Sequence, residues 1–323
     1  ELAGLGLHGL GDAVGRVDLL VGAPESRLDL DRVLSAPAWR SREPRTPPRD
    51  RALYADRPTD TSLEAAALPV LLRSLEAGEH ATLRGSITTR DRSIGARMGG
   101  ALSRRAEPRQ LARVSYELAG AAGQSLGAFA VTGMRITVTG EANDYVAKGL
   151  SGGTVVIRPP EAATLGQAQV IAGNVCLFGA TAGALHVVGR AGMRFAVRNS
   201  GARAVVEGIG AHGCEYMTGG TVLVLGEVGP NFGAGMTGGR AFVLDSPALA
   251  GCLNGESVVA RPLAGPEEQA LRDLLAAHAA EGSRLAIALM AAWNPALFVV
   301  VEPRSVTEIS LTAASGERAL AAR

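Results

Sequence analysis

A repeat of about nineteen residues in the middle of the chain restricts what it can fold into. One set of short apolar runs begins, at separations of 19, 20, 19 and 20 residues, at Ile136, Val155, Val175, Arg194 and Cys214. An interleaved set begins, at separations of 19, 18 and 19 residues, at Leu185, Ala204, Val222 and Ala241. A near-constant period is typical of a solenoid, whose repeats bury their apolar faces only by stacking on their neighbours.

The residue types in these runs predict β-structure. The runs have the length of strands, are rich in valine and are bounded by Gly, Asn and Ser, which disfavours a helical solenoid. Because equivalent runs recur one repeat later, equivalent strands are expected to lie parallel, about 4.8 Å apart. We therefore predict a mainly β fold, a single-stranded right-handed parallel β-helix of about six to seven coils. A helical and irregular N-terminal segment and two C-terminal helices are expected to flank it.

The glycine content supports this interpretation. Glycine accounts for 42 of the 323 residues, 28 of them between positions 120 and 255, whereas aromatic residues make up only 4%. Corners between stacked strands need positive φ angles and leave no room for a Cβ atom. Asparagine also tolerates the left-handed region. The asparagines expected at such corners are Asn143, Asn174, Asn199 and Asn231.

Composition divides the chain into three predicted regions. Residues 1–119 are expected to form a connector with short helices, residues 120–255 the β-helix, and residues 256–323 two helices, a strand and a tail. In the first region, Thr61 and Glu64 have the spacing of a capping box, which predicts a helix through Leu75. Before that helix, residues 37–58 hold five prolines and six arginines, as in an extended linker.

The last region carries two helix signals and one strand signal. Pro266 and the two acidic residues after it are typical of a helix N-terminus. Ser283 is expected to cap a second helix that ends near Trp293. Residues 297–301 are a β-branched run that predicts a strand, and the tail after Ser305 is expected to fray.

Charge and cysteine content exclude several classes of protein. The chain has 32 basic and 31 acidic residues, so it lacks the excess of positive charge that is typical of nucleic-acid-binding and polybasic membrane proteins. It has no apolar run of 18 residues and no signal-peptide pattern at its start. Three cysteines predict a reducing, cytoplasmic location. The chain begins at Glu1 rather than Met, so we interpret it as a piece of a longer protein.

The three cysteines are predicted to be structural. Cys176, Cys214 and Cys252 are each 38 positions apart, which is two repeats, so stacked sulfurs would stand about 10 Å apart. That separation is too large for a disulfide. No CxxC pair is present, so a zinc site or an iron–sulfur cluster is not expected.

Other motifs in the repeats are also weak candidates for chemistry. Residues 208–213 match GxGxxG, and Glu227 follows about twenty residues later, but the motif leads into a strand instead of the helix that a dinucleotide site requires. His186 and His212 are predicted to be structural. Stacked ion pairs on a solvated or docking face are expected among Arg194, Arg198, Arg203, Glu207 and Glu215. A carbohydrate-active enzyme would need an acid-lined groove, whereas the acids are scattered over Glu207, Glu215, Glu227 and Asp245.

Several segments resemble one family closely. They are residues 140–153 (GEANDYVAKGLSGG), 158–160 (RPP), 171–174 (IAGN), 178–181 (FGAT), 194–201 (RFAVRNSG), 205–208 (VVEG) and 215–220 (EYMTGG). Together with the G-x2-G-x3-G spacing of Gly226, Gly229 and Gly233, they resemble the C-terminal GXGXG β-helix domain of the glutamate synthase large (alpha) subunit. Outside the repeats, residues 15–20, 89–97 and 120–127 are similar to the stretch that joins the synthase barrel to this domain. Residues 298–303 are similar to its end.

The resemblance implies a structural role. The family enzyme converts glutamine and 2-oxoglutarate into two glutamates. It uses an amidotransferase domain, an FMN barrel, a 3Fe-4S cluster and a flavoprotein partner that carries FAD and takes electrons from NADPH. This domain would hold the catalytic domains in place. No catalytic, cofactor-binding or metal-binding residue is carried over, no cofactor is expected on this chain, and the chain alone is expected to be inactive. Residues 37–58 depart from the family pattern.

An alternative interpretation stays open. The chain could be a stand-alone, non-catalytic β-helix subunit of a related complex. Such a complex would resemble either N-methylglutamate synthase or formylmethanofuran dehydrogenase. The chain would correspond to the β-helix subunit of that complex. The barrel-joining similarity of residues 15–20 favours the glutamate synthase domain.

Overall fold

The computed structural model describes residues 2–21, 29–30, 34–35, 62–104, 113–161, 163 and 169–304. These residues separate into two units, 1–59 and 60–323. The predicted linker at 37–58 and the tail after Ser305 lie outside the described residues. The division into regions 1–119, 120–255 and 256–323 stays a prediction.

The described part of the first unit consists of short helical turns. Its elements are the 3-10 turns Ala3–Leu5 and Val17–Leu19 and the helix α1 (Leu10–Ala13), none of which has a buried residue. Arg16 and Asp18 form an ion pair at 2.7 Å.

The second unit is mainly β. Its helices are α2 (Leu63–Glu76), α3 (Ala96–Ser103), α4 (Leu249–Cys252), α5 (Gly265–Ala280) and α6 (Arg284–Ala291), with a 3-10 turn at Pro295–Leu297. Its strands are β1 (Ala81–Ile87), β2 (Val114–Ala122), β3 (Met134–Ala142), β4 (Ser151–Arg158), β5 (Val170–Ala172), β6 (Ala182–Val187), β7 (Arg190–Ala191), β8 (Ser200–Val206), β9 (Thr218–Val224), β10 (Gly238–Leu244), β11 (Val258–Pro262) and β12 (Phe298–Pro303).

The strands form one open, mixed sheet. Its order is β1-β2-β3-β4-β6-β8-β9-β10-β12-β11, and the short β5 pairs with β3 and β7 beside this path. Every pairing from β1 to β10 is parallel, whereas β12 runs antiparallel to both β10 and β11. The predicted mainly β class and the two C-terminal helices are therefore confirmed. The sheet already begins at β1, inside the region predicted to be a connector.

The register of the parallel pairs confirms the sequence repeat. Ile136 pairs with Val155, Leu185 with Ala204, Ala204 with Val222, and Val222 with Ala241. Each partner lies 18 or 19 residues further along the chain. The repeat from β4 to β6 is longer, because Val155 pairs with Leu185, thirty residues on.

The longer repeat explains one wrong prediction. The runs that begin at Val175, Arg194 and Cys214 are turns, not strands. If this repeat had the ordinary length, the turn after β4 would begin well before the next position that the spacing of the strand starts predicts, and it would not resemble a member of the strand series. The thirty-residue repeat moves this turn to Val175, twenty residues after Val155, where it falls in phase with the strands and mimics one.

The predicted helix through Leu75 is present as α2, whereas Thr61, the expected capping residue, lies outside the described residues. Ser62 caps α2, because its side chain accepts a hydrogen bond from the backbone N–H of Ala65 at 3.3 Å. Glu64 is buried instead and accepts bonds from the Tyr116 hydroxyl at 3.0 Å and the Met98 N–H at 3.2 Å. Burial raises the pKa of the Glu64 carboxyl, and these donors oppose the shift. Glu64 thus ties α2 to β2 and α3.

The two faces of the sheet contribute to different apolar clusters. Ala204 and Val206 of β8 point into the main core, whereas Val205 between them belongs to a second cluster with residues of α5 and α6. Leu271 and Leu275 of α5 are fully buried there. As predicted, Ser283 caps the second C-terminal helix, where it accepts a bond from the Ala286 N–H at 3.0 Å. The helices therefore cover the outer face of the later strands.

Close stacking of the strand starts explains part of the glycine content. Gly153 has a φ angle of +71°, and a Cβ atom there would lie 2.5 Å from the Met134 carbonyl oxygen and 2.7 Å from that of Val131. In a later repeat Ala202 replaces the glycine, and the buried Asn199 side chain bonds both its N–H and its carbonyl at 2.9 Å. Asparagine thus stabilises a corner that lacks this glycine.

None of the helices in the described segments has the length and the apolar character needed to cross a membrane.

We expect Gly153→Ala to destabilise the protein by about 2–5 kcal/mol, because alanine disfavours the left-handed backbone and its Cβ would clash with two carbonyls. The matched control is Gly100→Ala in α3, where the added methyl meets only the end of the Arg104 side chain at 3.6 Å. That change should be neutral or stabilise by up to about 1 kcal/mol through helix propensity. Urea unfolding of both variants measures the difference, and equal midpoints would contradict the stacking argument.

Candidate docking surface

Six five-residue turn segments stack beside the strands, one from each successive repeat. They are residues 125–129, 145–149, 175–179, 194–198, 212–216 and 231–235. In every segment the first, third and fifth residues have φ angles between +54° and +76°. Most of these residues are not glycine, so the conformation costs backbone free energy that other interactions must offset.

Backbone hydrogen bonds between segments supply that compensation. In residues 145–149, the N–H groups of Tyr145 and Gly149 donate to the following segment, to the carbonyls of Asn174 and Phe178, each at 2.8 Å. The N–H of Ala147 donates in the opposite direction, to Leu126 at 2.8 Å. Residues 125–129, 175–179, 194–198 and 212–216 repeat this alternation, whereas in residues 231–235 the Gly233 N–H donates to the Gly213 carbonyl and the Gly235 N–H to the Ser257 hydroxyl. Backbone hydrogen bonds therefore connect successive layers of the turn stack, as they do in the sheet.

Side chains from the turns divide between the core and the surface. Val146, Leu177, Phe195 and Cys214 are fully buried in the main core. What we call the turn face consists of five outward turn residues, Phe129, Tyr145, Lys148, Arg198 and Tyr216, together with Met193, which directly precedes residues 194–198. Tyr145 is 36% exposed, and the exposed fractions of Phe129, Met193 and Tyr216 are 50–55%. Every exposed large aromatic side chain among the described residues belongs to this face.

Two glycines hold the aromatic rings in place. A Cβ atom on Gly149 would lie 2.7 Å from the ring of Phe129, and one on Gly235 would lie 2.5 Å from the ring of Tyr216. Each ring therefore lies over a glycine of the next layer. The aromatic side chains are exposed but held in position.

Two cations of the turn face have aromatic neighbours instead of acidic partners. Lys148, the only lysine of the chain, places its Nζ 5.5 Å from the Tyr145 ring centroid and 5.9 Å from that of Phe178. The Arg198 guanidinium carbon lies 5.9 Å from the Tyr216 ring centroid. Neither cation forms an ion pair with any residue in the part of the chain that the structure describes.

The predicted stacked ion pairs are present in part. Arg194 Nη1 lies 3.1 Å from Glu215 Oε2 and forms an ion pair with it. The two groups are not aligned for a hydrogen bond. His212 Nδ1 lies 3.7 Å from Glu215 Oε1 and 3.1 Å from the amide nitrogen of Asn231. Arg198 and Arg203 have no such acidic partner among the described residues.

A buried polar cluster links the sheet to α5. His186 of β6 and His278 of α5 face each other through their Nδ1 atoms, 3.3 Å apart. His278 Nε2 lies 3.6 Å from Glu207 Oε1 without a hydrogen bond, and the Ser283 hydroxyl donates to Glu207. Burial, and then the nearby His278, lower the pKa of His186 to about 4. His186 is therefore neutral near pH 7 and joins two elements of the fold.

The cysteines lie as free thiols, two of them in the core. Cys176 and Cys214 are buried and Cys252 is partly exposed. Burial raises the pKa of Cys176 to about 12 and raises the pKa of Cys214 as well. Within the described residues no three His, Cys, Asp or Glu side chains are placed to hold a metal ion. The donor set of this part of the chain therefore does not fit an iron–sulfur cluster.

The GxGxxG segment at residues 208–213 leads into a turn, where a strand beginning at Cys214 was predicted, and then into strand β9; as predicted, no helix begins after it. Its glycines serve stacking. For example, a Cβ atom on Gly210 would lie 3.0 Å from the Met193 backbone nitrogen. That no residue in this chain is catalytic or binds a cofactor stays a prediction.

Sequence reasoning missed the turn face and the partner of His186. Two signals were available. The chain has a single lysine, which lies in the repeats. Aromatic residues are rare in the chain, so those that occur in the repeats indicate a specific role. Which of these aromatics would be exposed depends on the turn conformation, which the sequence alone does not specify.

Comparison with known proteins identifies relatives along most of the chain. The family described as GXGXG motif matches residues 65–304. The chain is 40% identical over 313 residues to ferredoxin-dependent glutamate synthase 2 of Synechocystis sp., covering 91% of this chain and 19% of that protein. It is 38% identical over 325 residues to the NADPH glutamate synthase large chain of Bacillus subtilis, covering 95% and 21%. For the corresponding large chain of Azospirillum brasilense the identity is 42% over 298 residues, covering 90% and 20%. The chain thus spans about a fifth of the length of these relatives.

We expect stability to fall as the pH decreases from about 6.5 towards 4, in part because of His186. In that window the unfolded histidine takes up a proton, whereas the folded one, its pKa lowered by burial, stays neutral until about pH 4. This histidine alone contributes at most about 1.4 kcal/mol per pH unit. Urea unfolding at pH 7, 6 and 5 measures the slope.

The variant His186→Gln should show a shallower pH slope than the unaltered protein. The control His80→Gln removes an exposed histidine next to the first strand of the same sheet and should keep the original slope. Equal slopes for His186→Gln and the unaltered protein would show that the buried pair does not carry this dependence.

Proposed function

Because the chain belongs to the GXGXG motif family, we propose that it forms the C-terminal structural domain of a glutamate synthase large chain. The alignment with large chains extends over 90–95% of this sequence, which favours this assignment over a stand-alone subunit of a related complex. In the whole enzyme, glutamine and 2-oxoglutarate would give two glutamates, with reduction by NADPH, NADH or ferredoxin.

We also propose that the repeats wind as a single-stranded right-handed parallel β-helix. The parallel pairing supports this winding, since each strand pairs with the equivalent strand one repeat later. The hydrogen bonds between turn segments support it as well, because they connect the same layers as the strand pairs do. Connections between parallel strands are right-handed in nearly all proteins, which supports the proposed hand.

The observation that carries the scaffold role is the turn stack. A structure whose strands and turns are both bonded layer to layer resists bending, as a support for other domains must. Titratable groups whose pKa values are raised by burial, such as those of Glu64 and Tyr116, lie in the core. We therefore assign the amidotransferase and FMN-barrel chemistry, and the contact with an electron-donating flavoprotein, to the remainder of the enzyme.

The cofactors of the whole enzyme belong in this proposal to other domains. Within the described residues the three cysteines are not grouped with one another or with other metal ligands as a 3Fe-4S cluster requires. FMN, the cluster and the FAD and NADPH of a partner would then be bound elsewhere. Free cysteines suit a reducing compartment such as the cytoplasm.

The purified 323-residue chain is expected to show no flavin absorbance and no glutaminase activity. In the complete large chain, Gly153→Ala should lower the temperature at which glutamate formation is half lost, because the destabilised domain would no longer hold the catalytic domains. Gly100→Ala is the matched control and should leave this temperature unchanged or raise it by up to about 4 °C. Flavin retained by the chain alone, or heat resistance unaffected by Gly153→Ala, would contradict a purely structural role.

A further inference from the structure

The turn face has the composition of a protein interface. Exposed Phe, Tyr, Met and Arg residues are the types enriched at the centres of interfaces, where aromatic anchors and Arg supply most of the binding free energy. Here they are concentrated in a chain with only 4% aromatic residues. The rings of Phe129 and Tyr216 are already fixed over Gly149 and Gly235, so little conformational entropy would be lost when a partner covers them.

The charge of the turn face indicates what kind of surface fits it. Lys148 and Arg198 have no acidic partner within the described residues, and each lies against an aromatic ring. A partner that supplies carboxylates to these two cations would form charge-assisted hydrogen bonds and leave the aromatic contacts intact. Arg194 is already paired with Glu215, so the positive charge that a partner would meet lies at Lys148 and Arg198.

A second copy of the same face fits poorly. In a two-fold symmetric contact the same patch meets itself, which would bring Lys148 and Arg198 of one copy near the same two cations of the other. Like charges opposed in this way cost free energy. A nucleic acid also fits poorly, because the whole chain has a net charge of only +1.

We propose that the turn face is the docking surface for an acidic segment of the catalytic part of the same large chain. This inference rests on the proposed function and adds to it the face and the chemistry of its partner. The relatives are about five times longer than this chain, so most of a synthase of that length would lie outside these 323 residues. Phe129 and Tyr216 would be the apolar anchors, and Lys148 and Arg198 would bind carboxylates.

The test is photo-crosslinking in the complete large chain, with Tyr216→benzoylphenylalanine as the probe. Irradiation should join position 216 to a peptide outside these 323 residues in the same polypeptide, within a few residues of Asp or Glu. A second probe, Phe129→benzoylphenylalanine, should mark the same neighbourhood. Both side chains are more than half exposed, so the probes should not disturb the core.

Charge reversal then tests the role of the cations. The double variant Lys148→Glu, Arg198→Glu should lower the adduct yield at position 216 at least about fivefold, the effect of losing roughly 1 kcal/mol of binding free energy. The control is Arg73→Glu on α2, an exposed arginine of the same charge outside the turn face, and it should leave the yield unchanged. Reversing the charge of the marked acidic residue should restore the yield in the double variant.

Four outcomes would overturn the inference. They are the absence of an adduct at both probe positions, an adduct with a second copy of the turn face, an adduct with RNA or an unrelated protein, and a yield that is insensitive to charge reversal. These outcomes are distinguishable from failure of the proposed function. If Gly153→Ala still lowers the heat resistance of glutamate formation, the structural role stands and only the docking face is wrong.

Discussion

The backbone hydrogen bond between equivalent positions of successive repeats is the interaction on which this structure depends. In the strands it forms the parallel pairs, as between Ile136 and Val155. In the turns the same kind of bond holds residues such as Ala147 at positive φ angles that they would otherwise avoid. Because each layer templates the next, side chains at equivalent positions lie above one another. The core, the glycine positions and the exposed face all follow from that alignment.

Much of the second unit could be predicted from its sequence. The period predicted the parallel pairing, Ser283 and Pro266 marked the two C-terminal helices, and the β-branched run at residues 297–301 marked β12. The three turn segments at Val175, Arg194 and Cys214 were mistaken for strands because an apolar run of four residues has the same pattern in both. One repeat of thirty residues then placed Val175 in phase with the strands. Glu64 was assigned to a cap because spacing cannot show that a carboxylate is buried beside Tyr116.

The candidate site was less predictable than the fold. The sequence predicted ion pairs near Glu215, and the pair with Arg194 is present. The position of Tyr216 over Gly235 depends on left-handed backbone at both residues, which neither residue specifies by itself. The same stacking that builds a stiff scaffold thus brings rare aromatic residues from distant repeats onto one surface. The stacked layers would therefore both support the neighbouring domains and present the surface that a partner recognises.

The reversed direction of β12 has a consequence for how such a stack ends. A parallel stack can in principle add equivalent strands from other molecules without limit, as amyloid fibrils do. Here β12 runs against β10, and β11 then runs against β12, so the last layers no longer offer a parallel template. At the opposite end, α2 packs beside β1. Repetition provides the length of the stack, and we expect the reversed strands to disfavour further parallel addition at the end formed by β11 and β12.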